Sequence, residues 1–257
     1  MNFTEAQILS QTALFIWPLM RISAMFVAVP LFSIKAVPAR VRLILSVVIT
    51  LVVMPLLPPL PSVEMFSYAG FMTAIAQVMI GLTTGFILQL VFAAAVFAGQ
   101  GVALSMGLGF SMMVDPQSGQ QVPVIAQLYT VTTTLIFISL DGHLLLIQML
   151  LDSFKTLPIG IDGIDKAGIW SVIAWSSRMF AGGLLLTMPI IASLLLVNII
   201  FGVAARAAPQ LQIFSVGIPV TLMLGLLLIW KTLPDVLDQF SGMLTDAYDL
   251  IGQLLRL

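Results

Sequence analysis

Long apolar runs separated by short polar connectors dominate the pattern along this chain. A helix that crosses a bilayer needs about 20 apolar residues in succession. Residues 11–32, 43–60, 66–97, 124–151, 169–203 and 213–230 meet or approach that length. Residues 65–113 carry no charged side chain at all. As one helix they would extend ~70 Å at 1.5 Å per residue, more than twice a bilayer core. A break is therefore expected, and one stretch offers it. From Gly99 to Pro123 the chain reads GQGVALSMGLGFSMMVDPQSGQQVP, with five Gly, four Gln, three Ser, three Met and a single charge, Asp115. Gly and Pro at this density oppose an uninterrupted helix. Irregular backbone at membrane depth survives only where it is buried in protein or lines a water-filled cavity. The pattern predicts a flexible, nearly uncharged segment set between membrane helices, as a pore constriction or gate requires.

After Pro234 the pattern becomes amphipathic. Leu237, Phe240, Leu244, Ile251 and Leu255 fall at helical spacing, among Asp235, Asp238, Asp246 and Asp249. Helices that lie on anionic lipid are usually basic, so this acidic one is expected to pack on protein.

Composition fixes the class. The chain is 60% hydrophobic and 8% charged, with mean hydropathy +1.13. A soluble domain carries roughly 25% charged residues, so this chain cannot cover a water-facing surface. The expected fold is an all-α integral membrane protein: about six apolar segments forming bent helices and helical hairpins, a Gly/Met-rich loop in the middle, and an amphipathic C-terminal helix. Residues 1–257 read as one domain, with N-terminal helices over 11–97, the loop at 99–123, a helical hairpin around Gly142 over 124–155, and C-terminal helices over 169–257. A net charge of −1 gives no reason to expect nucleic acid as a partner. With no Cys and one His, neither disulfides nor a Cys- or His-based metal site is expected. No nucleophile elbow, phosphate loop or metal-ligand pair occurs, so neither enzymatic activity nor a cofactor is expected. The start, MNFTEAQILS, lacks a signal peptide's basic region, and the first segment is expected to be retained. Residues 35–42, KAVPARVR, carry three cations and no acid, which places them on the cytoplasmic side.

Three charged features stand out. Arg21 and Arg178 lie inside apolar segments. A mid-membrane Arg costs ~2.5–3.5 kcal/mol on insertion scales and usually faces the bundle interior. Both are read as structural buried charges, each meeting a carboxylate, a helix C-terminus or an aqueous surface, with an ion or substrate path as the alternative. Asp141-Gly142-His143 interrupts another apolar run. An Asp and a His could relay protons. Two residues apart, however, they share no helix face, and a Gly between polar residues makes a turn; a turn is the reading adopted. Gly81 and Gly85 form a small-xxx-small pattern that permits close helix packing.

Taken together, these residues resemble the FliR (SctT) family, the export-gate membrane protein of flagellar and injectisome type III secretion. The resemblance rests on Arg21 with PLFS and AVPARVR (30–42), on AGQGVALSMGLGFSMMVDPQSGQQVPVIAQL (98–128), on DGHLLLIQMLLDSF (141–154) and on AAPQLQIFSVGIP (207–219), in that order. Leu144 stands where many members carry a second His. The resemblance implies a hetero-oligomer with FliP- and FliQ-like membrane proteins, built around a channel that passes unfolded flagellar proteins. It implies a site in the bacterial inner membrane, within the flagellar basal body and raised toward the periplasm. It maps the family's gate loop onto residues 106–122. The expected gate residues are then Met106, Gly107, Gly109, Phe110, Met112, Met113, Asp115, Pro116, Gly119 and Gln120, with Phe110, Met112 and Met113 as the seal and Gly107, Gly109 and Gly119 as hinges. The rival readings are a secondary transporter with a discontinuous helix at 99–123 and an assembly scaffold that conducts nothing.

Overall fold

The computed structural model describes residues 5–33, 37–58, 65–115, 119–207 and 213–257. Eight α-helices lie among them: α1 (Glu5–Ala28), α2 (Ala39–Val53, extended by a 3-10 turn over Met54–Leu56), α3 (Tyr68–Ser105), α4 (Val124–Ser139), α5 (Gly142–Thr156), α6 (Lys166–Trp175), α7 (Ser177–Ala207) and α8 (Ile213–Leu255). Between α3 and α4, strands β1 (Met112–Val114) and β2 (Gln121–Pro123) pair antiparallel. Four stretches are long and apolar enough to cross a membrane: Ala39–Leu56, Tyr68–Ser105, Lys166–Arg206 and Gly217–Leu255. The pair α4 and α5, taken as one broken span, makes a fifth, and Thr12–Ala28 is a shorter apolar helix. The fold is that of an all-α membrane protein.

The long uncharged run does break, but later than its composition indicates. The helix α3 continues through Gly99 and Gly101 to Ser105, about 57 Å at 1.5 Å per residue. Gly99 serves packing rather than termination: a Cβ there would overlap Ala126 of α4, so its absence lets the two backbones approach. Burial along the neighbouring turn outweighs the propensity cost of roughly 1 kcal/mol for a helical Gly.

The second difference concerns Pro234, which does not begin a separate C-terminal helix. α8 is one element of 43 residues with Pro219 and Pro234 inside it. An interior Pro removes one hydrogen bond and favours a kink, but the flanking turn is held by Val236 and Phe240, both buried. The amphipathic pattern is realised as expected. Phe240, Leu244, Ile251 and Leu255 are buried in protein, while Asp235, Asp238, Asp246 and Asp249 are exposed. Leu237 departs from the stripe and is exposed.

The chain divides into two compact units. The first comprises Met1–Leu90, Asp141–Ser176 and Thr245–Leu257. In it α1 packs on α2, and Trp17, Ile22, Met25, Phe26, Ile80 and Leu146 form the core. Gly81 and Gly85 of α3 realise the small-xxx-small pattern: a Cβ on either would overlap α1 at Arg21 or Ala28. The second unit comprises Val91–Leu140 and Ser177–Leu244. Its core gathers Ala98, Val102, Met106, Ile125, Tyr129, Ile190, Leu194 and Val236. Phe92 anchors one side, edge-on to Phe137 at 5.4 Å and to Phe240 at 5.5 Å.

Candidate functional site

The segment after α3 is built from a helix stop, an anchor and a hairpin, all within the second unit. Gly107 takes φ +78°, a left-handed conformation that Gly adopts without a Cβ penalty. Leu108 N–H donates to Ala103 O at 2.8 Å and Gly107 N–H to Leu104 O at 3.1 Å. This is the Schellman pattern, which satisfies the last carbonyls of the helix. A Cβ on Gly107 would meet nothing within 4 Å, so conformation and not space demands Gly there. Met106, one residue earlier, is 1% exposed. Its thioether lies over Gly225 of α8, where a Cβ would come within 2.6–2.8 Å of it. Met106 is thus an anchor of the segment, not part of its free surface.

Beyond the stop, the expected loop is an ordered hairpin. Met112 pairs with Pro123, Met113 with Val122 and Val114 with Gln121. Val124 N–H donates to Ser111 O at 3.1 Å and closes the base; at the other end Asp115 N–H donates to Gln120 O at 2.8 Å, and Gly119 N–H to Asp115 O at 2.7 Å. Gly119 is also left-handed, at φ +66°. Gly109 is not: of the three expected hinges, only Gly107 and Gly119 need glycine's extra conformations. A Cβ on Gly109 would instead press on the Leu104 side chain at 2.8 Å. Asp115 is buried and Gln120 exposed. Pro116 lies outside the described residues. The apolar side chains project outward, with Phe110 99% exposed and Met112, Met113 and Val114 half-exposed. The hairpin is an apolar knob on a pinned base, with Asp115 buried at its turn end as its one charged side chain.

The first unit holds the buried charge. Arg21 is 0% exposed. Its Nε donates to Gln77 Oε1 at 2.8 Å, Nη1 to Ser153 Oγ at 2.9 Å and Nη2 to Leu157 O at 2.9 Å. The guanidinium carbon sits 4.2 Å from the Phe154 ring centroid, a cation–π distance. Leu157 is the C-cap of α5, so the helix-end partner expected for Arg21 is present, joined by an amide, a hydroxyl and an aromatic face. No carboxylate pairs with Arg21 among the described residues. One side chain therefore ties α1, α3 and α5 together. Arg178 corrects the parallel expectation: it is exposed, in the first turn of α7. The helix is interrupted at Ser176, so Arg178 falls at the start of α7.

At Asp141-Gly142-His143 the helix stops and restarts. Asp141 is left-handed at φ 53°, and its carbonyl accepts from Leu144 N–H at 2.9 Å and Leu145 N–H at 3.1 Å. Gly142 is buried, Asp141 exposed and His143 half-buried. Tyr248 donates its hydroxyl to Gly142 O at 2.6 Å. Sequence reading passed over Tyr248, Ser153 and Gly225, since each acts only through a partner remote in the chain. Among the described residues, no three His, Asp or Glu side chains are grouped to hold a metal ion.

Known proteins are similar in sequence over nearly the whole chain. The sequence pattern described as "Bacterial export proteins, family 1" matches residues 12–247. The flagellar biosynthetic protein FliR of Escherichia coli (strain K12) is 36% identical over 255 residues, covering 99% of this chain and 97% of that protein. The FliR protein of Pectobacterium carotovorum subsp. carotovorum is 37% identical with the same coverage. That of Aquifex aeolicus (strain VF5) is 30% identical over 237 residues, covering 92% of this chain and 91% of its own. The chain belongs to the FliR family of bacterial export proteins. The matched range takes in both Arg21 and the hairpin. With its apolar spans, the chain is a membrane-bound flagellar component with a role in the export apparatus.

Proposed function

We propose that this chain is a non-enzymatic subunit of the type III protein export gate, and that its hairpin segment, residues 106–122, closes the channel at rest. The single observation that carries the reading is the knob itself: Phe110, Met112 and Met113 exposed on a hairpin whose one charge, Asp115, is buried, and whose base is held by the buried Met106. An apolar constriction blocks ions by dewetting and can still part for a passing chain. Met is flexible and polarizable, so it seals around irregular shapes and yields. Gly107 and Gly119 supply the backbone freedom at the two ends of β1 and its turn. The partners are FliP- and FliQ-like membrane proteins in the bacterial inner membrane, within the flagellar basal body and raised toward the periplasm, and the cargo is unfolded protein. No catalytic step is assigned to any side chain. The transporter alternative loses support at Arg21, because each of its three nitrogens donates to a group of its own unit and the side chain is fully buried.

Deleting part of the hairpin, or replacing Met112 and Met113 with Gly, should raise leakage of ions and small solutes while the complex still assembles. The measurement is membrane conductance in cells making the variant, with assembly checked by co-purification. A variant that assembles and stays as tight as the parent would show that this segment is not the seal.

A further inference from the structure

The two outer edges of the hairpin are chemically different. Ser111 and Val124 are joined by a backbone hydrogen bond, and so are Asp115 and Gln120. Bonded and non-bonded pairs alternate along an antiparallel ladder. In the observed register Met113–Val122 is therefore a bonded pair, and Met112 and Val114 turn their backbone groups away from β2. On that side β1 offers the Met112 carbonyl and the Val114 N–H and carbonyl. The outer side of β2 is blunted: Pro123 has no N–H, and α4 begins at the next residue. An open strand edge flanked by exposed apolar side chains is a template for another strand, and here Phe110, Met112 and Val114 flank it.

We infer that the outer edge of β1 docks an extended polypeptide by strand addition, and that its occupant is the exported chain in transit. This rests on the gate reading above and specifies how cargo engages it. Lipid has no peptide groups to pair with such an edge, and the side of a helix has none to spare. An unfolded chain has a full, unpaired set. Backbone pairing ignores cargo sequence, as a conduit for many substrates requires, and methionines accommodate whatever side chains follow. Three residues of strand hold weakly enough to release.

The chain has no Cys, so a single Met112→Cys gives a clean cross-linking site in the intact membrane complex. The probe is an exported subunit with one Cys, stalled in transit by fusion to a domain that resists unfolding. Val114→Pro removes the outward N–H but leaves the Met113–Val122 bonds. It should lower cross-linking to the stalled subunit roughly fivefold, the worth of one hydrogen bond, while Val114→Thr should match the parent. Independently of that variant, moving the Cys along the stalled subunit should give yields that alternate with period two, as strand pairing demands. Equal yields in Val114→Pro and parent, yields without that period, or capture of a membrane subunit or a second copy in place of cargo would each overturn the strand-addition inference alone. No cargo cross-link from residues 110, 112 or 113, together with a deletion variant that stays tight, would bring down the gate reading as well.

Discussion

Arg21 shows what one residue can and cannot announce. Its charge in an apolar run is conspicuous, because a buried cation must find hydrogen-bond acceptors or stay at an interface. Its partners are silent in the sequence: Gln77 lies 56 residues away and Ser153 lies 132 away, and neither carries a charge. Arg178 sends the same signal and ends up exposed, since one break at Ser176 moves it from mid-run to a helix start. Replacing Arg21 with Ala would strand the Gln77 and Leu157 acceptors and one lone pair of Ser153. At about 1–3 kcal/mol per buried unpaired group, the loss should be of order 3 kcal/mol or more. Arg21→Lys keeps the charge but cannot span three elements with one ammonium, so it should fall between. Thermal melting and yield of the detergent-solubilised complex would rank the three. An Ala variant as stable as the parent would remove Arg21 as the tie.

At the scale of elements, the apolar runs give the helices and the glycines give only part of the punctuation. Gly107 ends α3 because its backbone is left-handed, whereas Gly99 lies inside the helix because Ala126 is against it. Both lie in the same uncharged stretch of the sequence, and it is the neighbouring helix that tells them apart. Likewise Pro234, a natural stop in isolation, lies within α8 because buried side chains hold the turn after it. The hairpin left little trace, since strands of three residues are made by pairing and not by periodicity. The contrast between helical glycines is measurable. Gly99→Ala should destabilise, because backbone of α4 is in the way and cannot yield. Gly101→Ala has room, with its nearest neighbour Ile191 Cδ1 at 3.5 Å, and should be neutral or gain up to about 1 kcal/mol from helix propensity. Melting of the two variants side by side decides it; equal behaviour would mean that α3 and α4 do not depend on this contact.

For the whole molecule, composition alone identified the membrane class, because so few charges cannot cover a surface in water. What composition could not separate is lipid-facing from protein-facing apolar surface. Leu43 and Val52 of α2, Leu185 and Ile200 of α7, and Met223 and Trp230 of α8 are all more than half exposed on the single chain. Yet exposed amides sit on helices of the same kind, at Gln89 of α3 and Asn198 of α7, and amides facing lipid are costly. The chain should therefore purify as a stable complex with other membrane proteins and behave poorly alone. Mild-detergent co-purification with mass measurement tests this, and a monodisperse, export-competent homo-oligomer without partners would contradict it.

The tie made by Arg21 also imposes an order in time. Ser153 is synthesised 132 residues after Arg21, which at roughly 5–20 residues per second is on the order of 10 s. Throughout that interval the guanidinium has none of its α5 partners, and resting at the centre of a bilayer would cost ~2.5–3.5 kcal/mol. During synthesis α1 must wait at an interface or against another protein, and it can settle into its final packing only when α5 arrives to receive the charge.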